Sequence, residues 1–401
     1  MGGAETYLGR VMPMLAARHH DLAFAYEVDE PSNRTPILLP QGCAELSLTR
    51  PGDLDRVAAW QPDVIYTHGL LDPFVEGRLL DAAPGVMFAH AYYGTCISGQ
   101  KTHRFPVVQP CDRKFGPACL ALFYPRRCGG LNPVTMVRDY WHQGARSALL
   151  PRYAAVITHS EHLCREFERN GAAGGRVIQT AYLRSDAERA ASPARLLASR
   201  PAHEPWHLIF VGRMDRLKGG RQLLDAIPRV RAAIGKPLRI TFVGDGPARR
   251  RWQERADGLT RSDPGVSVEF TGWIQRPQVI ATLDSADVLV VPSLWPEPYG
   301  LVGPEAFARG LPAVAFATGG IPEWLVDGVN GYFAPGKRPT VEALAEAIVR
   351  CLRSLSTSDA LRYGALASAD HDDDTRHVDA LLQILADAAS RRAPSTPGAA
   401  S

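Results

Sequence analysis

The sequence lacks a long hydrophobic run, and none of its apolar stretches approaches the roughly 20 residues that a membrane-spanning helix needs. It also lacks an excess of one charge, because 45 Lys and Arg residues face 42 Asp and Glu residues, a net charge of +3. So small an excess argues against nucleic acid as a partner. The chain is 45% hydrophobic, which excludes wholesale disorder, and its 401 residues predict two or three domains at ~150 residues each.

The sequence also lacks the cysteine spacing that is typical of metal sites, because no two of its seven cysteines form a C-x2-C pair. Four of them, Cys96, Cys111, Cys119 and Cys128, nevertheless lie within one irregular insertion of about residues 92–133. Thiolates held by a loop can bind zinc, and zinc would order a segment with little core of its own. A structural zinc site is therefore one interpretation, and ordinary reduced cysteines are the other.

Cysteine usage also bears on location. The chain has seven cysteines, and its first residues lack the basic and apolar regions of a secretion signal. Together these two features predict a reducing compartment. We expect a cytoplasmic protein, with peripheral contact at the inner face of the membrane left open.

Short β-rich runs alternate with amphipathic segments along both halves of the chain. Runs that are apolar on both faces, such as 288–291, are typical of a sheet covered on both sides. Strand–helix alternation of this kind predicts an α/β fold with doubly wound parallel sheets. In the second half the predicted strands are His207–Gly212, Leu238–Gly244, Val266–Gly272, Val288–Ser293 and Ala313–Thr318. In the first half they are Leu22–Glu27, Asp63–His68, Val86–Ala91, Ala155–His159 and Val177–Tyr182.

The predicted domains follow from a linker rich in Ala, Ser, Pro and Arg at Arg184–Pro205. We predict an N-terminal domain over residues 1–190, on the acceptor side, and a C-terminal domain over residues 204–368. A final helix within residues 369–390 and a disordered tail over residues 391–401 complete the predicted organisation.

Two predicted strand ends carry groups that suit a nucleotide. Arg213 and Lys218 flank a helix start after the first strand of the second half, and two cations beside free backbone N–H groups suit a diphosphate. A solvated loop is the alternative. Gly244 lies in V-G-D-G-P, which resembles the opening of a dinucleotide fingerprint, but Arg249 replaces the third glycine. A plain tight turn is the alternative there.

The most informative stretch is 292–306, where a buried strand ends in a Pro-rich loop. Glu297 and Glu305 would repel phosphate at this turn. We therefore expect them to accept hydrogen bonds from hydroxyl groups that lie on either side of the phosphate. Gly300 allows close backbone approach to a ligand. Compensation of a helix dipole would explain Glu305 but not Glu297.

The ordered motifs resemble glycosyltransferase family 4, a family of retaining transferases. They are G-R-M-D-R-L-K-G, V-G-D-G-P, F-T-G-W-I, E-P-Y-G-L-V-G-P-E-A, T-G-G-I-P-E and D-G-V-N-G, which together run from about His207 to Gly336. The resemblance implies the GT-B architecture, in which two Rossmann-like domains face a cleft and the last helix packs back on the first domain. It also implies that Arg213 and Lys218 hold the donor diphosphate, Glu297 the sugar hydroxyls and Glu305 the ribose.

Further site residues are implied by the same resemblance. Backbone around Gly300 and Leu301 would meet the phosphates or the sugar, and Ile274 the base. Gly2 and Gly3 resemble the glycine loop of the family, and His90 its active-site histidine. Without the family, His90 would be interpreted as a satisfied core histidine.

The implied reaction moves a sugar from a nucleoside-diphosphate sugar to a hydroxyl of a saccharide or lipid-linked acceptor, with no metal needed for catalysis. Two alternatives remain: a nucleotide-sugar epimerase of the same architecture and a non-catalytic nucleotide-sugar-binding protein. In the family the glycine loop follows the first strand, whereas here Gly2 follows Met1 directly. We therefore expect the first strand of the N-terminal domain to be missing, and either the true start to lie upstream or the chain to be a truncated product.

Overall fold

The computed structural model describes residues 3–28, 37, 39–50, 52–178, 205–369 and 374–391. Gly2, most of the predicted linker and residues 392–401 of the predicted tail lie outside them. No helix in these ranges is long and apolar enough to cross a membrane.

The described N-terminal half contains six helices and eight strands. In chain order these are α1 (Gly3–Ala16), β1 (Ala23–Tyr26), β2 (Ala44–Ser47), α2 (Asp53–Trp60), β3 (Ile65–Thr67), α3 (Pro73–Ala82), β4 (Gly85–Ala89), β5 (Thr102–His103), β6 (Gln109–Pro110), α4 (Ala118–Phe123), α5 (Pro133–Leu149), β7 (Ala155–Thr158), α6 (Glu161–Arg169) and β8 (Gly175–Val177). Strands β3-β4-β7-β8 form a parallel sheet, β1 and β2 a separate parallel pair, and β5 and β6 an antiparallel pair in the insertion.

The centre of the N-terminal sheet is buried on both faces. Every residue of β4 and β7 is buried, and Val86 pairs with Ala155 in the parallel register. One face of these strands packs against α1 and against the last described helix of the chain. The opposite face packs against the residues that follow β4 and against α6.

The described C-terminal half alternates strands and helices throughout. In chain order these are β9 (Trp206–Val211), α7 (Gly220–Ile234), β10 (Leu238–Val243), α8 (Arg249–Ser262), β11 (Val266–Gly272), α9 (Arg276–Asp284), β12 (Val288–Val291), α10 (Val302–Phe307), β13 (Ala313–Phe316), β14 (Gly331–Ala334), α11 (Val341–Thr357), α12 (Ala360–Ala369) and α13 (Asp374–Ala389). All six strands are parallel, in the order β11-β10-β9-β12-β13-β14. The order reverses between β9 and β12, the place where doubly wound sheets bind ligands.

The last helix crosses back to the N-terminal half. Val378 and Leu381 of α13 are fully buried and join the same apolar cluster as Val11 of α1 and Phe88 of β4. Burial of two such side chains is worth about 1.5–3 kcal/mol each, which fixes this helix on the N-terminal sheet.

The predicted α/β class with parallel sheets is confirmed. Each of the five predicted strands of the C-terminal half begins within one residue of the observed strand. The sequence did not predict β14, because its four residues follow a turn and carry too short a pattern to distinguish a strand from a loop.

Candidate functional site

Glu297 lies in the loop that follows β12, at the carboxyl edge of the C-terminal sheet. Its side chain is almost fully buried, with 5% of the residue exposed. Both carboxylate oxygens accept hydrogen bonds from the Lys218 ammonium, at 2.7 Å and 2.9 Å, and the Ser293 hydroxyl donates to Oε1. A buried carboxylate needs such partners, so these three residues form one unit.

The loop after β9 brings Lys218 to Glu297. Asp215 caps a short 3-10 helix by accepting a hydrogen bond from the Leu217 amide at 3.0 Å, and this helix ends at Lys218. The ammonium also lies 5.0 Å from the ring centroid of Trp295. Arg213, at the start of the loop, is exposed, and its side chain has no hydrogen-bond or ion-pair partner among the described residues. Three cations, Arg213, Arg216 and Lys218, therefore lie on one loop, and Lys218 is already paired with Glu297.

Close backbone contacts hold the loops of this edge together. Gly244 has φ +122°, and a Cβ there would lie 2.2 Å from the Gly212 carbonyl oxygen. A Cβ at Gly319 would lie 2.2 Å from the Glu297 carbonyl oxygen. Any side chain at either position would displace backbone, so Gly244 has at least a structural role.

Glu305 and Ile274 lie on the other side of the Pro-rich loop. Arg276, at the start of α9, lies 3.3 Å from Oε1 of Glu305. Ile274 is half-buried beside the core cluster that contains α10. Gly300 has φ +87°, and Leu301 directly precedes α10. These residues follow β11 and β12, whose carboxyl ends lie at the same edge of the parallel sheet, and the contact between Arg276 and Glu305 joins the two segments.

His90 directly follows the buried strand β4, at the carboxyl edge of the N-terminal sheet. Its Nε2 lies 2.6 Å from Nδ1 of His68, and its Nδ1 lies 3.4 Å from Nε2 of His159. Burial lowers the pKa of both His68 and His159 well below the usual range, and positive charge on His90 would lower them further. The two flanking imidazoles are therefore neutral at pH 7, and they fix the ring of His90.

A second group of hydrogen-bonded polar side chains lies next to these three histidines. The Tyr7 hydroxyl lies 2.9 Å from that of Tyr66 and 2.8 Å from Nε2 of His377 on α13. Burial raises the pKa of both tyrosines, so their hydroxyls stay protonated. Because His377 belongs to the returning helix, the end of the chain supports the His90 region.

The two halves meet along the Pro-rich loop. The Tyr92 hydroxyl donates to the Pro296 carbonyl oxygen at 2.8 Å, and the Ser160 hydroxyl donates to that of Pro298. Tyr299 stacks on His159 at 6.1 Å between ring centroids. These contacts bring the loop of Glu297 to the edge that carries His90.

Glu323 makes a further bridge between the halves. Its carboxylate oxygens accept hydrogen bonds from the backbone amides of Glu161 and His162, both at 2.8 Å. These are the first two amides of α6, which have no partner within the helix, and the helix dipole favours an anion there.

The predicted glycine loop is only partly described. Gly2 lies outside the described residues, and Gly3 is the first residue of α1. Sequence reasoning assigned no role to several residues that contact the predicted site residues or join the two halves. They are Ser293, Trp295, His68, His159, Glu323 and Tyr92. His68 and His159 are the last residues of predicted strands, and His90 lies one residue before the end of another. This shared position was the signal that could have found them.

The four cysteines of the insertion come together around one small cavity. No group of three or more His, Cys, Asp or Glu side chains in the described ranges is placed to hold a metal ion. The prediction of a zinc site therefore finds no support in the positions of these side chains.

Comparisons of sequence identify a family and relatives that match part of the chain. Residues 205–354 match the family described as "Glycosyl transferases group 1". The D-inositol 3-phosphate glycosyltransferase of Geodermatophilus obscurus is 34% identical over 202 residues, which cover 47% of this chain and 42% of the relative. The glycogen synthase of Mycobacterium tuberculosis is 34% identical over 137 residues, 33% of this chain and 31% of the relative. The alignments thus span less than half of these relatives.

Comparison of structures covers nearly the whole chain. HepE from Anabaena, solved in complex with UDP and glucose, superposes with a TM-score of 0.62 at 18% identity, over 95% of each chain. The predicted architecture of two Rossmann-like halves is confirmed at the level of the fold. The chain therefore has the fold of the GT-B glycosyltransferases, and its residues 205–354 carry the sequence pattern of the group 1 glycosyl transferases.

Proposed function

We propose that this protein is a retaining glycosyltransferase of family 4. It would move a sugar from a nucleoside-diphosphate sugar to a hydroxyl of a saccharide or lipid-linked acceptor. The observation that carries the proposal is the buried Glu297 carboxylate, held by Lys218 and Ser293 at the carboxyl edge of the C-terminal sheet. UDP in the structure of the Anabaena neighbour supports a nucleotide donor of this class.

The donor would lie along this edge. Arg213 and Lys218 would bind the diphosphate, and their charge would stabilise it as it leaves, without a metal ion. Glu297 would accept hydrogen bonds from the sugar hydroxyls and Glu305 from those of the ribose. Backbone near Gly300 and Leu301 would contact the phosphates or the sugar.

The remaining donor contacts come from three other loops. Ile274 would contact the base, and Gly244 would keep its loop close enough to the nucleotide. Gly2 and Gly3 would approach the β-phosphate from the N-terminal half.

In the proposed reaction the bond between the anomeric carbon and the phosphate oxygen breaks. The acceptor oxygen forms a new bond on the same face of the sugar, and its proton passes to the leaving phosphate. His90, fixed by His68 and His159, would lie close to the sugar, and we assign it no role as a base. The contacts between Tyr92 and Pro296 and between Glu323 and α6 would help to exclude water from the closed cleft.

The acceptor and the place of action are proposals of the same kind. Polysaccharide or glycolipid assembly in the cytoplasm, with peripheral membrane contact, fits a transferase that uses cytosolic nucleotide sugars.

A screen of nucleoside diphosphates and nucleotide sugars by thermal shift tests the donor, because a ligand that binds the folded state raises the melting temperature. The stabilising donor is then incubated alone and with saccharide and lipid-linked acceptors, with and without EDTA. Transfer with retained anomeric configuration in EDTA supports the proposal. Conversion of the donor into another nucleotide sugar without an acceptor would identify an epimerase. Binding of the donor without any turnover would identify a non-catalytic protein.

A further inference from the structure

The insertion of residues 92–133 contains a small cavity at its centre. Its volume is about 20 Å³, and its walls include all four cysteines of the insertion, Cys96, Cys111, Cys119 and Cys128. Cys96 is buried and the other three are half-buried, and none forms a disulfide. Of the seven cysteines in the chain, the remaining three lie elsewhere.

Separate parts of the backbone deliver the four thiols. Cys96 lies in the turns after β4, Cys111 directly follows β6, Cys119 lies in the first turn of α4, and Cys128 follows that helix. Two backbone hydrogen bonds fix two of these positions: the Cys111 amide donates to the Lys101 carbonyl at 2.7 Å, and the Cys128 amide to the Phe123 carbonyl at 2.9 Å. Convergence of four thiols from four segments is not a consequence of local sequence.

The size of the cavity decides what these thiols can hold. A water molecule needs roughly 10–15 Å³ of such space. The cavity, at about 20 Å³, exceeds that minimum, so the four thiols enclose open space. A zinc ion bound at ~2.3 Å from each sulfur would leave no room of this kind between the thiolates. No group of three or more His, Cys, Asp or Glu side chains in the described ranges is placed to hold a single metal ion, which agrees with this argument.

One cation and one imidazole ring lie in the wall of the cavity, Arg113 and His103. The buried Lys101 lies beside it, where its amide donates to Sγ of Cys96 at 3.4 Å and its ammonium pairs with Glu166. Four thiolates bound to an iron–sulfur core leave a net negative charge. Nearby cations and N–H···S hydrogen bonds stabilise that charge.

We propose that Cys96, Cys111, Cys119 and Cys128 bind a [4Fe–4S] cluster that holds the insertion together. Thiolates are the ligands that iron–sulfur clusters prefer, and in this cluster type each sulfur binds a different iron, which sets the sulfurs apart around a central body. Each thiol releases its proton to solvent as its sulfur binds iron, and no change of oxidation state is required of the protein. The role is structural.

The insertion contains little regular structure, which supports a structural role for the cluster. Its regular structure consists of two strands of two residues each and the six-residue helix α4. Yet Val108 packs against the apolar core of the C-terminal half. A segment with so little core needs another source of order, and a cluster bound by four residues supplies it.

The test is anaerobic purification of the full chain, followed by measurement of iron, acid-labile sulfide and zinc. Iron and sulfide in equal amounts, with broad visible absorption that dithionite bleaches, are expected. If the protein is isolated without iron, anaerobic reconstitution with ferrous iron and sulfide should restore both. Zinc in place of iron, or failure to bind iron and sulfide on reconstitution, would overturn the proposal.

Variants locate the cluster. Cys111→Ser and Cys128→Ser should each lower bound iron at least several-fold, whereas Cys43→Ser, a half-buried cysteine outside the cavity, should leave it unchanged. Full iron content in both cavity variants would contradict the assignment. Should either variant fail to fold, the metal content and the electron paramagnetic resonance spectrum of the reduced wild-type chain still decide the proposal.

Discussion

The Lys218 ammonium lies 2.7 Å and 2.9 Å from the two carboxylate oxygens of Glu297. The sequence assigned these residues to different parts of a donor, one to the diphosphate and the other to the sugar. Their pairing means that each orients the other, and that part of the Lys218 charge is already neutralised. Arg213, exposed and without a side-chain partner in the described ranges, is then the more available of the two cations that the resemblance assigns to the diphosphate.

Glu297→Gln should lower kcat by about 10²-fold or more, because the amide keeps the shape of the side chain but loses the charge that accepts hydrogen bonds from the donor. The fold should persist because the Ser293 hydroxyl can still donate to the amide oxygen, but the melting temperature should fall because the Lys218 ammonium loses its carboxylate partner. Steady-state kinetics and a thermal melt measure both effects. Glu254→Gln, at an exposed carboxylate of α8, is the matched control, and turnover near the wild-type level in Glu297→Gln would remove Glu297 from the catalytic set.

Arg213→Gln should raise the Kd for a nucleoside diphosphate about tenfold, which corresponds to ~1.4 kcal/mol. The physical reason is the loss of a charge-assisted hydrogen bond to phosphate. Isothermal titration with UDP and GDP measures the change. Arg229→Gln, which removes the same charge at the exposed pair with Glu342, should leave the Kd unchanged. Equal affinities for the wild-type chain and Arg213→Gln would exclude Arg213 from the diphosphate site.

Glu323→Ala should destabilise the chain by about 0.5–2 kcal/mol, the usual cost of losing a helix cap. The loss has a second part, because this cap comes from the other half of the molecule and its removal also loosens the junction. A lower melting temperature is the expected result. Glu342→Ala removes an exposed carboxylate and should shift the melting temperature less, and equal shifts would show that the contact of Glu323 with α6 does not matter.

Stability should fall as the pH is lowered below about 6.5. Burial lowers the pKa of His162 and of His377 to about 4, so the unfolded chain binds protons at a pH where the folded chain does not. Stability from the neutral rings is fully present above the unfolded pKa of about 6.5 and is lost as the pH falls toward 4. Thermal melts between pH 7.5 and 4.5 measure the slope.

His377→Gln should reduce that slope, because the variant no longer binds a proton on unfolding. His20→Gln, at an exposed position, is the control and should leave the slope as it is. Charged neighbours act on the same group, and Asp374 in particular favours protonation of His377. An unchanged slope in His377→Gln would therefore assign the acid sensitivity to other residues.

Much of the fold could be predicted from the sequence, because buried parallel strands carry an apolar pattern that needs no partner to be recognised. Val288–Val291 is apolar at every position, and it forms the strand that precedes Glu297. The principal residues of the candidate site could be found for a related reason, since glycines and charged residues at the ends of such strands gather at one edge of the sheet. Their proposed roles came from the resemblance to a family and are still to be tested.

The partners of those residues could not be predicted, because partnership depends on distances between segments that are remote in sequence. Nothing in the spacing of Glu323 and Glu161 indicates that one caps the helix that begins with the other. The sequence by itself determined the α/β class, the strand ends and the chemistry of the Glu297 loop, all of which depend on local patterns. Only the tertiary structure decided that Lys218 pairs with Glu297, that two neutral histidines fix His90 and that four cysteines surround one cavity, because burial and packing select among contacts that the chain alone leaves open.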